Sequence, residues 1–315
     1  MGKVAILMSS YNGEQYIVEQ INSLQKQTFK DWHLYIRDDG SKDKTKVIAK
    51  KNCKEDPRIT LIDDGENLRP AKSFLRLINE VVADYYFFCD QDDYWLKDKL
   101  QVMIDDIERY DNSIPQVVYC NLKCVDQNMV PRKYGFDELI GKISGYNRFI
   151  GNDMPGCVML FNKATRDLAV QYKPNYDDIT MHDWWIALIA QVFGQVHFVN
   201  QRLVYYRQHG DNTVGAGKSG NVIKKLFQKD LIKKQKRLVR QSFSQDMAFR
   251  KTFYSVLPSE EKRILDDMKR CLDSSIFYRF KFVTGYNFKQ MSSIRTFAYD
   301  WTFIFMLKSS LKAKM

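Results

Sequence analysis

The sequence has no Cys-x-x-Cys pair and no Cys/His quartet at zinc spacing; its six cysteines stand at 53, 89, 120, 124, 157 and 271. That excludes a zinc module. A chain of 315 residues buries enough core to fold without disulfide staples, so free thiols in a reducing compartment are expected. No stretch approaches the roughly 20 apolar residues of a membrane span. The nearest, FAYDWTFIFML at 297–307, is short and carries Asp300. The N-terminal apolar run, Val4 to Met8, is too short for a secretory signal. Internal repeats and low-complexity segments are absent. The expectation is a cytoplasmic protein that does not cross a membrane.

What is present is ordinary in amount and uneven in place. Hydrophobic residues make up 44% and charged residues 28%, as in soluble folded chains, and aromatics reach 14%. The net charge of +11 is concentrated at the C-terminal end, where residues 216–315 hold 22 Lys and Arg against 8 Asp and Glu. The preceding 215 residues hold 27 basic and 30 acidic side chains. A near-neutral body with a basic tail predicts two regions, 1–215 and 216–315, and an anionic surface as partner for the second.

The body alternates strand-like and helical segments. Strands are predicted at 3–9, 33–39, 58–63 and 84–90, with helices at 14–27, 41–53 and 70–82. Ser41 or Asp43 is expected to cap the second helix, and Pro70 to open the third. This rhythm predicts an open, mostly parallel α/β sheet with helices on its faces. Further on, strands are predicted at 116–125 and 156–162, a helix at 182–194, a short hairpin over 195–209 and a hinge in GAGKSG at 215–220.

Open α/β sheets bind ligands at the carboxyl ends of their strands. Polar residues collect at those ends: Ser9 to Asn12, Asp38 and Asp39, Asp63 and Asp64, then Asp90, Asp92 and Asp93. Helix capping is the expected job of Asp63 and Asp64. It accounts for one of the last three acids, not for all. A D-x-D triplet behind a buried strand suits Mg²⁺ or Mn²⁺, one carboxylate facing the cation and the other a nearby hydroxyl such as a ribose. Alone, D-x-D is a weak signal. Asp38 and Asp39 are acceptors for a base N–H, and Tyr11 offers a ring face. Asp183 at a helix start reads as a cap or as a general base. His209 reads as a loop histidine or as a further ligand to the cation.

Taken in order, SSYNGE, RDDGSKDKT, DQDDYW, MPGC, HDWW and YRQHGDN resemble the family 2 glycosyltransferases of the GT-A fold, closest to bacterial rhamnosyltransferases of streptococcal rhamnose polysaccharide synthesis. The likeness spans residues 1–215 and extends loosely into the tail. Each motif is weak by itself; the six together are specific. The resemblance implies inverting, metal-dependent transfer of a sugar from a nucleotide-sugar donor to an acceptor hydroxyl. It implies that Ser10, Tyr11, Glu14, Asp38, Asp39, Asp90 and Gln91 bind the donor, and that Asp92 and His209 hold Mg²⁺ or Mn²⁺. Asp93 would support that ligand from behind. Gly156, Cys157, His182 and Trp184 would lie toward the acceptor, with Asp183 as the base. The Q-x-x-R-W motif of the processive members is missing, so a non-processive enzyme is expected.

The donor implied is dTDP-rhamnose, with a UDP-hexose as the alternative. The acceptor implied is a polyprenyl-diphosphate-linked saccharide of cell-wall or capsular polysaccharide. Basic segments with interleaved apolar residues, 222–241 and 276–289, suit the inner face of an anionic membrane or a homodimer contact. Nucleic acid is not expected as a partner. Three rival readings explain less of the sequence. A nucleotidyltransferase wants a Gly- and Arg-rich loop after the first strand, which SSYNGEQ lacks. A nucleic-acid binder explains the tail and leaves the acidic rim idle. A sugar-binding protein would take donor without turnover.

Overall fold

The computed structural model describes residues 3–133, 135–209 and 229–312; the segment GAGKSG lies outside them. The chain forms two compact units. One comprises Met1–Glu138, Met154–Gln171 and Met181–Ala216; the other comprises Leu139–Asp153, Tyr172–Thr180 and Gly217–Met315.

The first unit is a sheet of eight strands. The elements are β1 (Val4–Ser10), α1 (Ile17–Gln25), β2 (Trp32–Asp38), α2 (Thr45–Glu55), β3 (Ile59–Ile62), α3 (Arg69–Glu80), β4 (Tyr85–Asp90), β5 (Tyr94–Trp95), α4 (Lys99–Ile107), β6 (Gln116–Val125), β7 (Met159–Asn162), α5 (Lys163–Gln171), α6 (His182–Phe193) and β8 (Gln195–Arg207). Strand order is β3-β2-β1-β4-β7-β6-β8-β5. The first four strands are parallel, as their near-continuous apolar runs predict. β7 pairs antiparallel with β4 and β6. β1 therefore lies where successive crossovers diverge, to β2 on one side and β4 on the other, which opens a crevice at the carboxyl ends. Register aligns those ends: Ser10 pairs with Asp38 and Ser9 with Asp90.

Helix α6 is buried along its first nine residues, so it is apolar on all sides. It stops at Gly194, where a Cβ would stand 1.8 Å from the Pro115 carbonyl oxygen. The close approach lets Gln195 N–H donate to that oxygen at 2.9 Å and start β8.

Several local expectations are corrected. Residues 195–207 form one strand, parallel to β6, and no hairpin. The polar Asn200-Gln201-Arg202 reads as a turn but is a bulge: Cys120 pairs with Val199 and Asn121 with Arg202. Residues 156–158 are a 3₁₀ turn, and only Met159–Asn162 is strand. Asp63 and Asp64 cap nothing; α3 begins after Leu68, while Asp63 pairs with Lys46 and Asp64 with Arg37. Helix α1 begins at Ile17, because Asn12 takes a left-handed φ of 46° and Glu14 is committed elsewhere. Helix α2 begins at Thr45 with Lys44 at the cap; the Asp43 carboxylate accepts from Thr45 N–H at 2.9 Å, and Ser41 does not cap it.

The second unit is helical: α7 (Lys229–Phe253), α8 (Ser259–Arg270), α9 (Ile276–Tyr286) and α10 (Ser293–Lys312). Its core gathers Val239, Phe243, Phe249, Phe282, Phe303 and Leu307. Buried Arg279 donates to the carbonyls of Cys271, Ser274 and Ile304, tying α8, α9 and α10 together. Arg148 and Asp153 form a buried pair, 3.0 Å apart, in the stretch that joins this unit from the middle of the chain. Among the described residues no helix is long and apolar enough to cross a membrane.

Asp246 on α7 is fully buried, and neither carboxylate oxygen has a hydrogen-bond partner among the described residues. Burial raises its pKa well above the usual range. From about pH 4 upward the folded chain therefore holds a proton that the unfolded chain has lost, and stability falls as pH rises. Asp246→Asn removes this dependence. Thermal melts from pH 5 to pH 8.5 are expected to show a shallower loss of Tm for the variant, with the variant the more stable at the alkaline end.

Candidate active site

The site is the crevice at the carboxyl ends of β1, β2 and β4, closed by the start of α6 and the end of β8. The loop after β1 is pinned from two sides. Gln91 holds the Tyr11 backbone through both of its polar atoms, accepting from Tyr11 N–H at 3.0 Å and donating to its carbonyl at 2.9 Å. Glu14 and Asp43 cross-link reciprocally: Asp43 accepts from Glu14 N–H at 3.0 Å, and Glu14 accepts from Lys44 N–H at 2.8 Å. The Tyr11 ring is left exposed at the crevice.

The Asp38-Asp39-Gly40 turn needs a left-handed residue at its end, and Gly40 supplies φ of 82°. Both acids are buried, and their jobs differ. Asp39 spends both oxygens on the chain: one accepts from Arg37 at 2.5 Å and Leu68 N–H at 2.7 Å, the other from Arg69 N–H at 2.8 Å. Asp38 accepts from Ser41 N–H at 3.0 Å, and among the described residues its second oxygen has only the Ser10 hydroxyl, at 3.5 Å.

The acids after β4 separate clearly. Asp92 meets His209 Nε2 at 2.6 Å, and the His209 ring stacks on Tyr16. Asp93 is fully buried; Oδ1 accepts from Arg207 N–H at 3.1 Å, and among the described residues Oδ2 meets no N–H donor, with the Cys157 thiol beside the carboxylate. Asp90 is lifted to about 7 by burial and by the charges of Asp92 and Asp183. Asp183, from the first turn of α6, thus faces the same space as the D-x-D triplet. Burial lifts Asp183 to about 6, against backbone N–H groups of Trp184 and Gly156 that favour its charged form. Ligand atoms of Asp90, Asp93 and Cys157 lie within 4.8 Å of one another. The Asp93 oxygen without an N–H donor and the crowded carboxylates suit a hard divalent cation; the Cys157 sulfur does not.

Gly156 and Cys157 lie beside the acids. A Cβ on Gly156 would stand 3.0 Å from His182 Nε2, so the turn seats closely against that ring. His182 itself is buried between Phe74 and Phe88, without a hydrogen bond to either nitrogen, and burial lowers its pKa to about 3. Trp184 is buried as well.

Four residues were not singled out from the sequence. Arg37 donates to Asp39, Asp64, Ser73 and the Glu66 carbonyl. Arg207 donates to the carbonyls of Asp92 and Gln127, pairs with Glu19 and lies over the Tyr16 ring. Lys99 is buried, donates to the Cys157 carbonyl at 2.5 Å and sits 3.1 Å from the centre of the Trp95 ring. Tyr206 faces Asp93, Cys157 and Asp90, and its hydroxyl pKa is raised by burial first and then by those charges. The only sequence signal was position: Arg37, Lys99, Tyr206 and Arg207 lie inside or next to motifs already marked.

Comparison with known proteins follows from this geometry. The profile for "Glycosyl transferase family 2" matches residues 5–169. The dTDP-rhamnosyl transferase RfbG of Shigella flexneri is 30% identical over 258 residues, 75% of this chain and 86% of that protein. The UDP-Glc:alpha-D-GlcNAc-diphosphoundecaprenol beta-1,3-glucosyltransferase WfgD of Escherichia coli is 28% identical over 49% of this chain and 58% of its own length. Among solved structures, S. aureus TarS 1-349 in complex with UDP superposes with a TM-score of 0.54 at 14% identity, covering 98% of this chain and 90% of that one. The mannosyltransferase PcManGT of Pyrobaculum calidifontis, in complex with GDP-Man and Mn²⁺, gives 0.54 at 12%, covering 98% and 87%. The fold is that of the GT-A transferases.

Arg37→Met is expected to cost about 3–5 kcal/mol, because it leaves the buried Asp39 carboxylate facing an apolar side chain. Urea denaturation of the purified variant measures it. A loss under 1 kcal/mol would remove Arg37 as the clamp of this rim.

Proposed function

We propose, for a chain that belongs to glycosyl transferase family 2, that the acidic rim is the donor site of an inverting, non-processive transfer to a saccharide hydroxyl. The observation that carries the reading is the convergence of Asp90, Asp92 and Asp183, close enough for the charges of the last two to raise the first. Asp183 is the base. Its pKa near 6 leaves it ionised at neutral pH yet basic enough to take a proton as an acceptor hydroxyl attacks the anomeric carbon. The Trp184 and Gly156 N–H groups hold the carboxylate in place. Buried His182, neutral by its lowered pKa, adds no competing charge beside it.

On the donor side, Asp38 rather than Asp39 has an oxygen with capacity for a base N–H, and the exposed Tyr11 ring is placed to stack. Ser10, Glu14 and Gln91 shape that loop. Asp90 faces the ribose. Asp92, with His209, would hold Mg²⁺ or Mn²⁺, and Asp93 stands behind them. When bound, such an ion offsets the charge that builds on a departing diphosphate. A solved mannosyltransferase of the same fold, in complex with GDP-Man and Mn²⁺, supports this cofactor class.

The donor proposed is dTDP-rhamnose, supported by the Shigella relative, a dTDP-rhamnosyl transferase. A UDP-hexose is the second reading, supported by the Escherichia relative. The diphosphoundecaprenol-linked sugar in that relative's name also supports a polyprenyl-diphosphate-linked acceptor here, met at the inner face of the membrane.

Asp183→Asn is expected to lower kcat by about 10²–10⁴-fold while donor affinity changes by less than a few-fold. The acid limb of kcat/KM is expected near pH 6, activity rising with pH as Asp183 ionises. Near-normal turnover in the variant would sink the assignment of the base. A donor panel of dTDP-rhamnose, UDP-glucose, UDP-galactose and UDP-GlcNAc should single out the first. Chelation with EDTA should abolish turnover, and Mg²⁺ or Mn²⁺ should restore it. Full activity under chelation would remove the role given to Asp92.

A further inference from the structure

The helical unit turns aromatic side chains toward solvent in an ordered way. On α10, Ile294, Phe297, Trp301 and Phe305 recur every three or four residues and form one stripe. Each is between 47% and 60% exposed. The rings lie in series, with centroids 6.4 Å apart for Phe297 and Trp301 and 4.4 Å for Trp301 and Phe305. The opposite face, Tyr299, Phe303 and Leu307, is buried, so the stripe is not the edge of the core. On α9, Ile276, Phe277 and Phe280 are exposed too, between 51% and 76%. Single exposed apolar residues are common; seven on two consecutive helices are not.

Along these two helices the charge is mainly positive. Residues 276–312 hold six Lys and Arg and a single acid, Asp300. That acid is half-buried, and burial lifts it to about 7, which weakens the one opposing charge. Arg295 adjoins Ile294 at one end of the stripe, and Lys308 follows Phe305 at the other. Lys234 of α7 lies close enough to Arg295, and to its neighbour Arg237, for their like charges to act on it.

We propose that this face of α10, with the exposed residues of α9, is seated in the headgroup boundary of an anionic bilayer. The aromatic stripe enters the acyl edge, and the flanking lysines and arginines meet lipid phosphates. The inference rests on the reading that the acceptor is membrane-linked, and it says where contact is made. A second copy of the chain fits less well, since pairing this face with itself sets basic rims against each other. Nucleic acid would answer the charge but leave the apolar stripe in water.

The protein carries its own reporter. Of five tryptophans, Trp32, Trp95, Trp184 and Trp185 are at most 4% exposed, and Trp301 is 47% exposed. Full-length protein is titrated with phosphatidylglycerol/phosphatidylcholine vesicles and with phosphatidylcholine alone. The expected result is a blue-shifted emission on the anionic vesicles, quenched by brominated acyl chains and absent in Trp301→Ser. Phe297→Ser combined with Phe305→Ser should weaken partitioning by about tenfold or more with circular dichroism unchanged. Arg295→Gln and Lys308→Gln should each weaken it by about fivefold on anionic vesicles only.

Co-sedimentation without any Trp301 response would overturn this face and leave the membrane-linked acceptor standing. A concentration-dependent blue shift without lipid, matched by a dimer in analytical ultracentrifugation, would assign the face to a second copy and overturn the inference. No vesicle binding at all would overturn it as well. Transfer to a polyprenyl-diphosphate saccharide in detergent then tests the acceptor reading independently.

Discussion

Buried negative charge at the end of β4 is the constraint around which the first unit is arranged. Taking a carboxylate out of water costs several kcal/mol unless cations and N–H donors take over from solvent. Here the compensation is deliberately incomplete. Arg207 donates to the Asp93 carboxylate through its backbone N–H and to the Asp92 backbone carbonyl through its guanidinium, and Lys99 lies nearby as a buried ammonium lowered to about 8. Still, Asp90 is pushed up to about 7, and among the described residues one oxygen of Asp93 meets no N–H donor. A rim left short of positive charge is primed for a ligand that brings some.

That shortfall works only if the acids stay where they are, and the surrounding loops are built for rigidity. Parallel pairing aligns Ser9 with Asp90 and Ser10 with Asp38, so three strand ends share one level. The Gln91 amide then ties the β4 loop to Tyr11, and Glu14 with Asp43 ties the β1 loop to the β2 loop. Arg37 fastens β2 to the segment before α3 through Asp64 and the Glu66 carbonyl. Each link joins loops that follow different strands, so disturbing one shifts its neighbours.

Much of this was legible in the sequence, and for a physical reason. A buried parallel strand is a nearly unbroken apolar run, so YYFFCD announces both its own burial and the rim where Asp90 stands. Asp183 was legible as a helix-start acid, since position in a first turn follows from periodicity. What could not be read was who answers whom. Arg37 and Arg207 find partners up to 188 residues away, a pairing that no local pattern encodes. The β8 bulge was missed because a polar triplet between apolar runs looks the same whether the chain reverses or slips register. Asp63 and Asp64 looked like caps because capping is local, whereas their partners Lys46 and Arg37 come from other elements.

Burial alone does not mark a functional acid, and this chain supplies its own control. Asp183 and Asp246 both have pKa values raised chiefly by desolvation. Asp246 sits in a helix interior, with no N–H donor and no hydrogen-bond partner among the described residues. It has nothing with which to share a proton productively. Asp183 sits in the first turn of a helix, takes two backbone N–H groups beyond its own, and shares its space with Asp90. The same desolvation therefore has opposite consequences. At Asp246 it drains stability as pH rises; at Asp183, tempered by donors, it stops near 6, where a carboxylate is both ionised and able to accept a proton at neutral pH. Convergence of polarised groups, rather than a perturbed pKa, is what separates the two.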